Sequence, residues 1–174
     1  MNSLFRITSL AATVAALALT AAPAQAATPT TPATAKVKIM KAVTISRVGD
    51  LDFGTVVLSG PAGFTGAVVS VDSAGARTCD VNLTCSGTTT AAEYNVTGSN
   101  NATVNLSIPA SVVIQNAALD SLTVTLDNSQ TTIVLTSSGA PGDNFSFGGS
   151  ISLDEATPDG DYSGDVVVTA DYPA

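Results

Sequence analysis

The sequence predicts an all-β protein, a β-sandwich of about ten short strands preceded by a signal peptide. Three observations carry this. From Ala35 onward apolar residues recur at every second position, and helical spacing is convincing nowhere. Clusters of Gly, Pro, Asn and Asp break these runs at short intervals. Of the 174 residues 45 % are hydrophobic, but only 5 % are aromatic and 11 % charged. The remainder is rich in Thr, Ser and Gly, and such chains suit half-buried strands joined by turns.

Residues 1–26 read as an export signal, with Arg6 in a weakly positive first segment, a short apolar run from Leu10 to Leu19, and an Ala24-Gln25-Ala26 cleavage motif. Cleavage is expected between Ala26 and Ala27. The apolar run falls short of the ~20 residues a membrane helix needs, and no later stretch is long and apolar enough, so no transmembrane segment is expected after cleavage. The mature chain is expected to be exported, to the periplasm, cell surface or medium of a Gram-negative-type bacterium.

Residues 27–34 (ATPTTPAT) form a Thr/Pro-rich extension without core residues, and the sandwich domain is expected over 35–174. Its first run holds Ala35, Val37, Ile39, Val43 and Ile45 at one parity, interrupted by Lys41. Leu51, Phe53 and Thr55–Val57 predict a second strand, and Val69 and Val71 a third. Further runs centre on Tyr94 and Val96, on Val104 to Ile108, on Val112 to Ile114, on Leu122 to Leu126 and on Ile133 to Leu135. Phe145, Phe147, Ile151 and Leu153 alternate around Gly149, and Val166, Val168, Ala170 and Tyr172 alternate to the end. Turn chemistry separates them, as at Ser59-Gly60-Pro61 and Pro158-Asp159-Gly160. An outer-membrane barrel is the rival architecture, but it normally carries aromatic girdles and this chain has no Trp.

Cys79 and Cys85 are the only cysteines, and an oxidising compartment favours a disulfide between them. On one straight strand they would lie ~20 Å apart, so the bond requires the chain to reverse within residues 80–84, as the tip of a hairpin or loop. A redox pair would normally show two intervening residues rather than five.

The composition excludes several functions. There is no histidine, which removes the usual activated serine and most zinc sites. Fourteen acids against six bases, net charge −8, argue against nucleic acid. Asp159 to Asp165 places oxygen-bearing residues as a calcium loop does, but its twelfth position is Ala170 rather than a bidentate acid. The segment reads equally as a turn. Asp154-Glu155 lacks any cleft signature, and Lys36, Lys38 and Lys41, the lysines a Ser–Lys pair would need, sit on the first run. No catalytic residue, metal or cofactor is assigned, and no enzyme is expected.

Charge is unevenly placed. Lys36, Lys38, Lys41 and Arg47 lie together, whereas Thr78 to the end holds eleven acids and no base. The basic run pairs within its own acidic domain, or its lysines protect a sheet edge, or it docks on the acidic surface of a neighbouring copy.

Three motifs carry a resemblance. They are Leu51-Asp52-Phe53-Gly54, the stretch Gly63 to Val71 soon followed by Arg77, and Gly160-Asp161-Tyr162-Ser163-Gly164 running into Asp165 to Tyr172. In this order, with the Gly148-Gly149 pair, they resemble a bacterial family catalogued as domain of unknown function 4402, over roughly residues 36–173. The Cys79/Cys85 pair is not a hallmark of that family. The family looks related to spore coat protein U domains and to fimbrial subunits of the chaperone–usher route. Those subunits pair a glycine with a near-terminal aromatic twelve residues later, as Gly160 and Tyr172 do, although here the aromatic is third from the end.

The resemblance implies an immunoglobulin-like, pilin-like sandwich that lacks one strand and receives it from a chaperone, or from the N-terminal extension of the next subunit. Val37, Ile39, Val43 and Ile45 are then the donor candidates. Gly160, Val166, Val168, Ala170 and Tyr172 mark the acceptor edge. Self-assembly, a periplasmic chaperone and an outer-membrane usher are the implied partners, and cell adhesion the implied setting. If Ala35–Ser46 is instead the domain's own first strand, the chain is a monomeric secreted or surface-attached binding module or adhesin.

Overall fold

The structure, a computed structural model, describes residues 28–173. The predicted signal peptide and its Ala26/Ala27 cleavage site lie outside the described residues. The chain divides into two units, Met1–Val37 and Lys38–Ala174. In the first, residues 28–37 have no regular secondary structure and are exposed.

The second unit is all-β and antiparallel. Its strands are β1 (Thr44–Gly49), β2 (Thr55–Leu58), β3 (Ala67–Val71), β4 (Arg77–Cys79), β5 (Leu83–Ser86), β6 (Ala92–Thr97) and β7 (Thr103–Ser107). There follow β8 (Ser111–Gln115), β9 (Ser121–Leu126), β10 (Thr132–Val134), β11 (Asp143–Phe147), β12 (Gly149–Leu153) and β13 (Thr169–Asp171). One layer is a five-stranded sheet in the order β4-β3-β12-β9-β8. Three further ladders complete the fold: β1-β6-β11, β10-β7-β13 and the pair β2-β5.

Alternation along each strand builds the core. Val69, Val124 and Ile151 from the five-stranded sheet meet Val96, Val104, Phe145 and Phe147 from the other ladders in one buried cluster. Tyr94, Phe145 and Phe147 stack beside one another with ring centroids 5.8–6.4 Å apart. The inward faces are apolar and the outward faces largely polar, which is the sandwich pattern and the reverse of a lipid-facing barrel. No helix among the described residues is long and apolar enough to cross a membrane.

The strands among the described residues are more numerous than the alternation predicts, thirteen rather than about ten. Arg77–Cys79 and Leu83–Ser86 are too short to show a period. The reversal between the cysteines occurs at Asp80–Asn82, where Leu83 N–H donates to the Asp80 carbonyl (3.0 Å) and Asn82 N–H to Asp80 Oδ1 (2.8 Å). It is a loop rather than a hairpin, since β4 pairs with β3 and β5 with β2. The disulfide Cys79–Cys85 (Cα–Cα 6.3 Å) therefore staples two different ladders. Its small loop places its contribution at about 2 kcal/mol.

Three strand boundaries differ from the sequence pattern. The first strand begins at Thr44 rather than near Ala35, because its ladder partner β6 reaches only Thr97, opposite Thr44. Leu51 and Phe53 flank an isolated bridge, Asp52 to Thr90, rather than opening a strand. The alternation around Gly149 is also two strands, for Gly148 marks the passage from β11 in one ladder to β12 in the five-stranded sheet.

Candidate functional site

The C-terminal segment from Gly160 to Tyr172 reads in sequence as a turn and one strand. In the structure it is a strap between two ladders. At its start Gly160 holds φ +148° beside the buried Asn116, whose Nδ2 would lie 3.0 Å from any Cβ placed there. Asn116 is fully engaged. Its Nδ2 donates to Asp120 Oδ2 (2.9 Å), and its Oδ1 accepts from Ala118 N–H (3.0 Å) and Asp120 N–H (2.9 Å). Ser163 then pairs with Gln115 on the edge of β8, with bonds of 2.9 and 3.0 Å. At the far end Thr169–Asp171 pair with Asn105–Ser107 of β7.

Between these anchors, Asp165–Val168 receive no backbone–backbone hydrogen bond among the described residues. The residues still alternate as a strand does: Val166 packs on the core, Val167 is 71 % exposed and Val168 is buried. Extended backbone without a ladder partner is an open sheet edge. β1 lies beside β13, yet the two belong to separate ladders, so a seam runs between them.

Tyr172 closes one end of that seam. Its Oη donates to the Lys41 carbonyl (2.8 Å) and accepts from Ser99 N–H (2.7 Å). Gly98 makes room for it, because a Cβ at Gly98 would stand 2.6 Å from Tyr172 Oη. Lys41 is held further by its own N–H to Ser99 Oγ (2.6 Å) and its Nζ to the Ser138 carbonyl (3.1 Å). The glycine touching Tyr172 is thus Gly98, whereas Gly160, twelve residues earlier in the chain, serves Asn116. Nothing in the spacing pointed to Gly98; its proximity to Tyr172 exists only after β6 and β13 are placed.

Tyr94 holds the unpaired stretch from the core side, its Oη donating to the Val166 carbonyl (3.1 Å). Burial raises its phenol pKa above the ordinary value. Because the folded state favours the neutral phenol, its contribution is complete below the unfolded-state pKa and is lost as pH rises through the folded one. A phenolate also cannot donate to Val166. Thermal midpoints measured from pH 8 to 11 should fall above about pH 10, and Tyr94→Phe should show a smaller fall across that window.

The donor candidates fall into two sets. Val43 and Ile45 pack against this chain's own core. Val37 and Ile39 are 84 % and 86 % exposed, in a stretch without secondary structure, alternating with Lys36 and Lys38. Of the acceptor-edge candidates, Val166, Ala170 and Tyr172 are half-buried, Val168 is buried and Gly160 is exposed. The described residues hold no group of three or more metal-ligating side chains, the Asp159–Asp165 segment included.

A protein-family model described as domain of unknown function (DUF4402) matches residues 43–172.

The chain belongs to this family.

The family match ends at Tyr172 and begins at Val43, so the DUF4402 domain includes the strap and β1 but not Val37 and Ile39. No curated protein and no solved structure gives a significant match.

Proposed function

We propose that this DUF4402 chain is an exported, non-enzymatic structural subunit of a fimbria-like or other cell-surface assembly, polymerising by N-terminal strand donation. The observation that supports it best is the unpaired Asp165–Val168 edge in an otherwise laddered sandwich. An extended segment added there gains main-chain hydrogen bonds, and alternate side chains enter the core side. The stretch Lys36-Val37-Lys38-Ile39 has that pattern, with apolar side chains on one face and ammonium groups on the other. Asp161, Asp165 and Asp171 lie along the strap and complement those lysines. Donation from each copy to the next is head-to-tail and need not close, so it builds a filament. A periplasmic chaperone covering the edge before assembly, and an outer-membrane usher, complete this reading.

A self-complete, monomeric binding module is the second reading. It is favoured by Val43 and Ile45, which already occupy positions against the core.

The two separate in a cross-linking experiment. Lys38 and Val167 take the outward positions of donor and edge, so Lys38→Cys with Val167→Cys brings two thiols together across the added strand. A short thiol-specific cross-linker should give a ladder of multimers for the double variant and nothing beyond dimers for either single one. A cross-linked monomer alone would contradict donation between copies.

A further inference from the structure

The outward face of the five-stranded sheet has a property the rest of the acidic surface lacks. Five hydroxyl side chains stand in register across it: Thr78, Ser70, Ser150, Thr125 and Ser111, one on each strand from β4 to β8. Their separation is the inter-strand spacing of ~4.8 Å. The adjacent positions are Val68 opposite Ser152, and Thr123 opposite Val113. Arg77 is the one ionisable residue in these five strands, and it donates away from this face, to the carbonyls of Phe53 (3.1 Å) and Ser86 (2.7 Å).

The face carries two shallow, open depressions. One, of about 520 Å³, is floored by Ser152, Thr123 and Thr125 and bordered by Asp154, Ala156, Thr157 and Pro158. A second, of about 400 Å³, runs toward Asp72 and Asp127. The two share Ser150 and Thr125, so together they form a trough.

Carboxylates mark the ends of the trough, each already accepting a backbone N–H. Asp154 accepts from Gly66 (2.7 Å), Asp72 from Ala74 (2.9 Å) and Asp127 from Ser129 (3.0 Å).

We propose that this trough binds a linear, uncharged, polyhydroxylated chain: a neutral polysaccharide. Each serine or threonine hydroxyl both donates and accepts, so a row of them matches ligand hydroxyls in either sense. The floor offers no charge to pair with an ionic ligand, and the carboxylates at the ends repel a polyanion. Val68 and Val113 are the exposed large apolar side chains of this sheet face, too few for an apolar peptide. A second copy packed face to face would bring the same carboxylates toward one another. The proposal is independent of strand donation, which uses the Asp165–Val168 edge rather than this outward face.

The test is native electrophoresis of the exported chain through gels containing dextran, laminarin or hydroxyethyl cellulose, with heparin as the polyanion. At least one neutral polysaccharide should retard the protein while heparin does not. Ser150→Glu with Thr125→Glu, both outward-facing, should weaken retardation at least tenfold. If that pair lowers the thermal midpoint, Thr78→Glu with Ser111→Glu at the two ends of the hydroxyl row replaces it. The proposal is overturned if no neutral polysaccharide retards the chain, if heparin retards it more, or if folded variants are retarded equally. A concentration-dependent dimer dissolved by the same substitutions, without retardation, assigns the face to self-packing and also overturns it.

Discussion

Gly148→Ala is expected to lower the thermal midpoint of the sandwich by roughly 10 °C or more, or to leave no soluble domain, which corresponds to about 3 kcal/mol for a domain of this size. A Cβ at Gly148 would stand 1.9 Å from the Val71 carbonyl oxygen and 2.8 Å from the Val71 and Asp72 carbonyl carbons. All three atoms are backbone, at the end of β3 and the residue that follows it, so no side-chain rotation relieves the overlap. Movement of either strand disturbs the pairing of Gly149 with both Val71 and Leu126, and with it the passage of the chain between ladders. Gly63→Ala is the control. Gly63 has φ +81° but nothing within 4 Å of the added methyl, so only backbone strain of about 1 kcal/mol is expected. Thermal unfolding of the two variants separates the causes, and equal losses would contradict the steric account.

The second large effect concerns assembly rather than folding. Val37→Asp with Ile39→Asp should leave the sandwich as stable as before, because both side chains are exposed; such positions usually change stability by less than about 0.5 kcal/mol. In a donated strand those side chains would be buried against Val166 and Val168 of the next copy. Burying an unpaired carboxylate costs several kcal/mol, and every 1.4 kcal/mol is tenfold in affinity. Two such residues should weaken association more than a thousandfold. Light scattering should then report monomers at concentrations where the parent chain is multimeric. An unchanged size distribution with an unchanged thermal midpoint would place the interface elsewhere.

The layers of the sandwich were legible in sequence because alternation is a local signal. β3, β6 to β9, β11 and β12 coincide with apolar runs whose inward residues, such as Val69, Val96 and Val124, are the buried ones. The cysteine pairing was legible too, since only two cysteines were present. What stayed hidden was which strand neighbours which. Val166, Val168 and Ala170 alternate identically whether or not a partner strand lies beside them, so sequence could not show that Asp165–Val168 lack one. The same holds at the N-terminus, where Val37, Ile39, Val43 and Ile45 share one parity. The structure separates them into an exposed pair and a pair packed on the core, because the ladder with β6 ends at Thr44. Gly98 beneath Tyr172, and the row of hydroxyls across five strands, arise from contacts distant in sequence and carry no local signature.

The central claim is that copies are joined by an added strand. Interfaces made of main-chain ladders and buried side chains dissociate slowly, and at room temperature in detergent they outlast individual surface contacts. The most direct measurement is a denaturing gel of the native surface fraction, run with and without boiling. The account predicts a ladder of subunit multiples in the unboiled lane that collapses on boiling to one band at the mature mass. A single band at that mass in both lanes would contradict it.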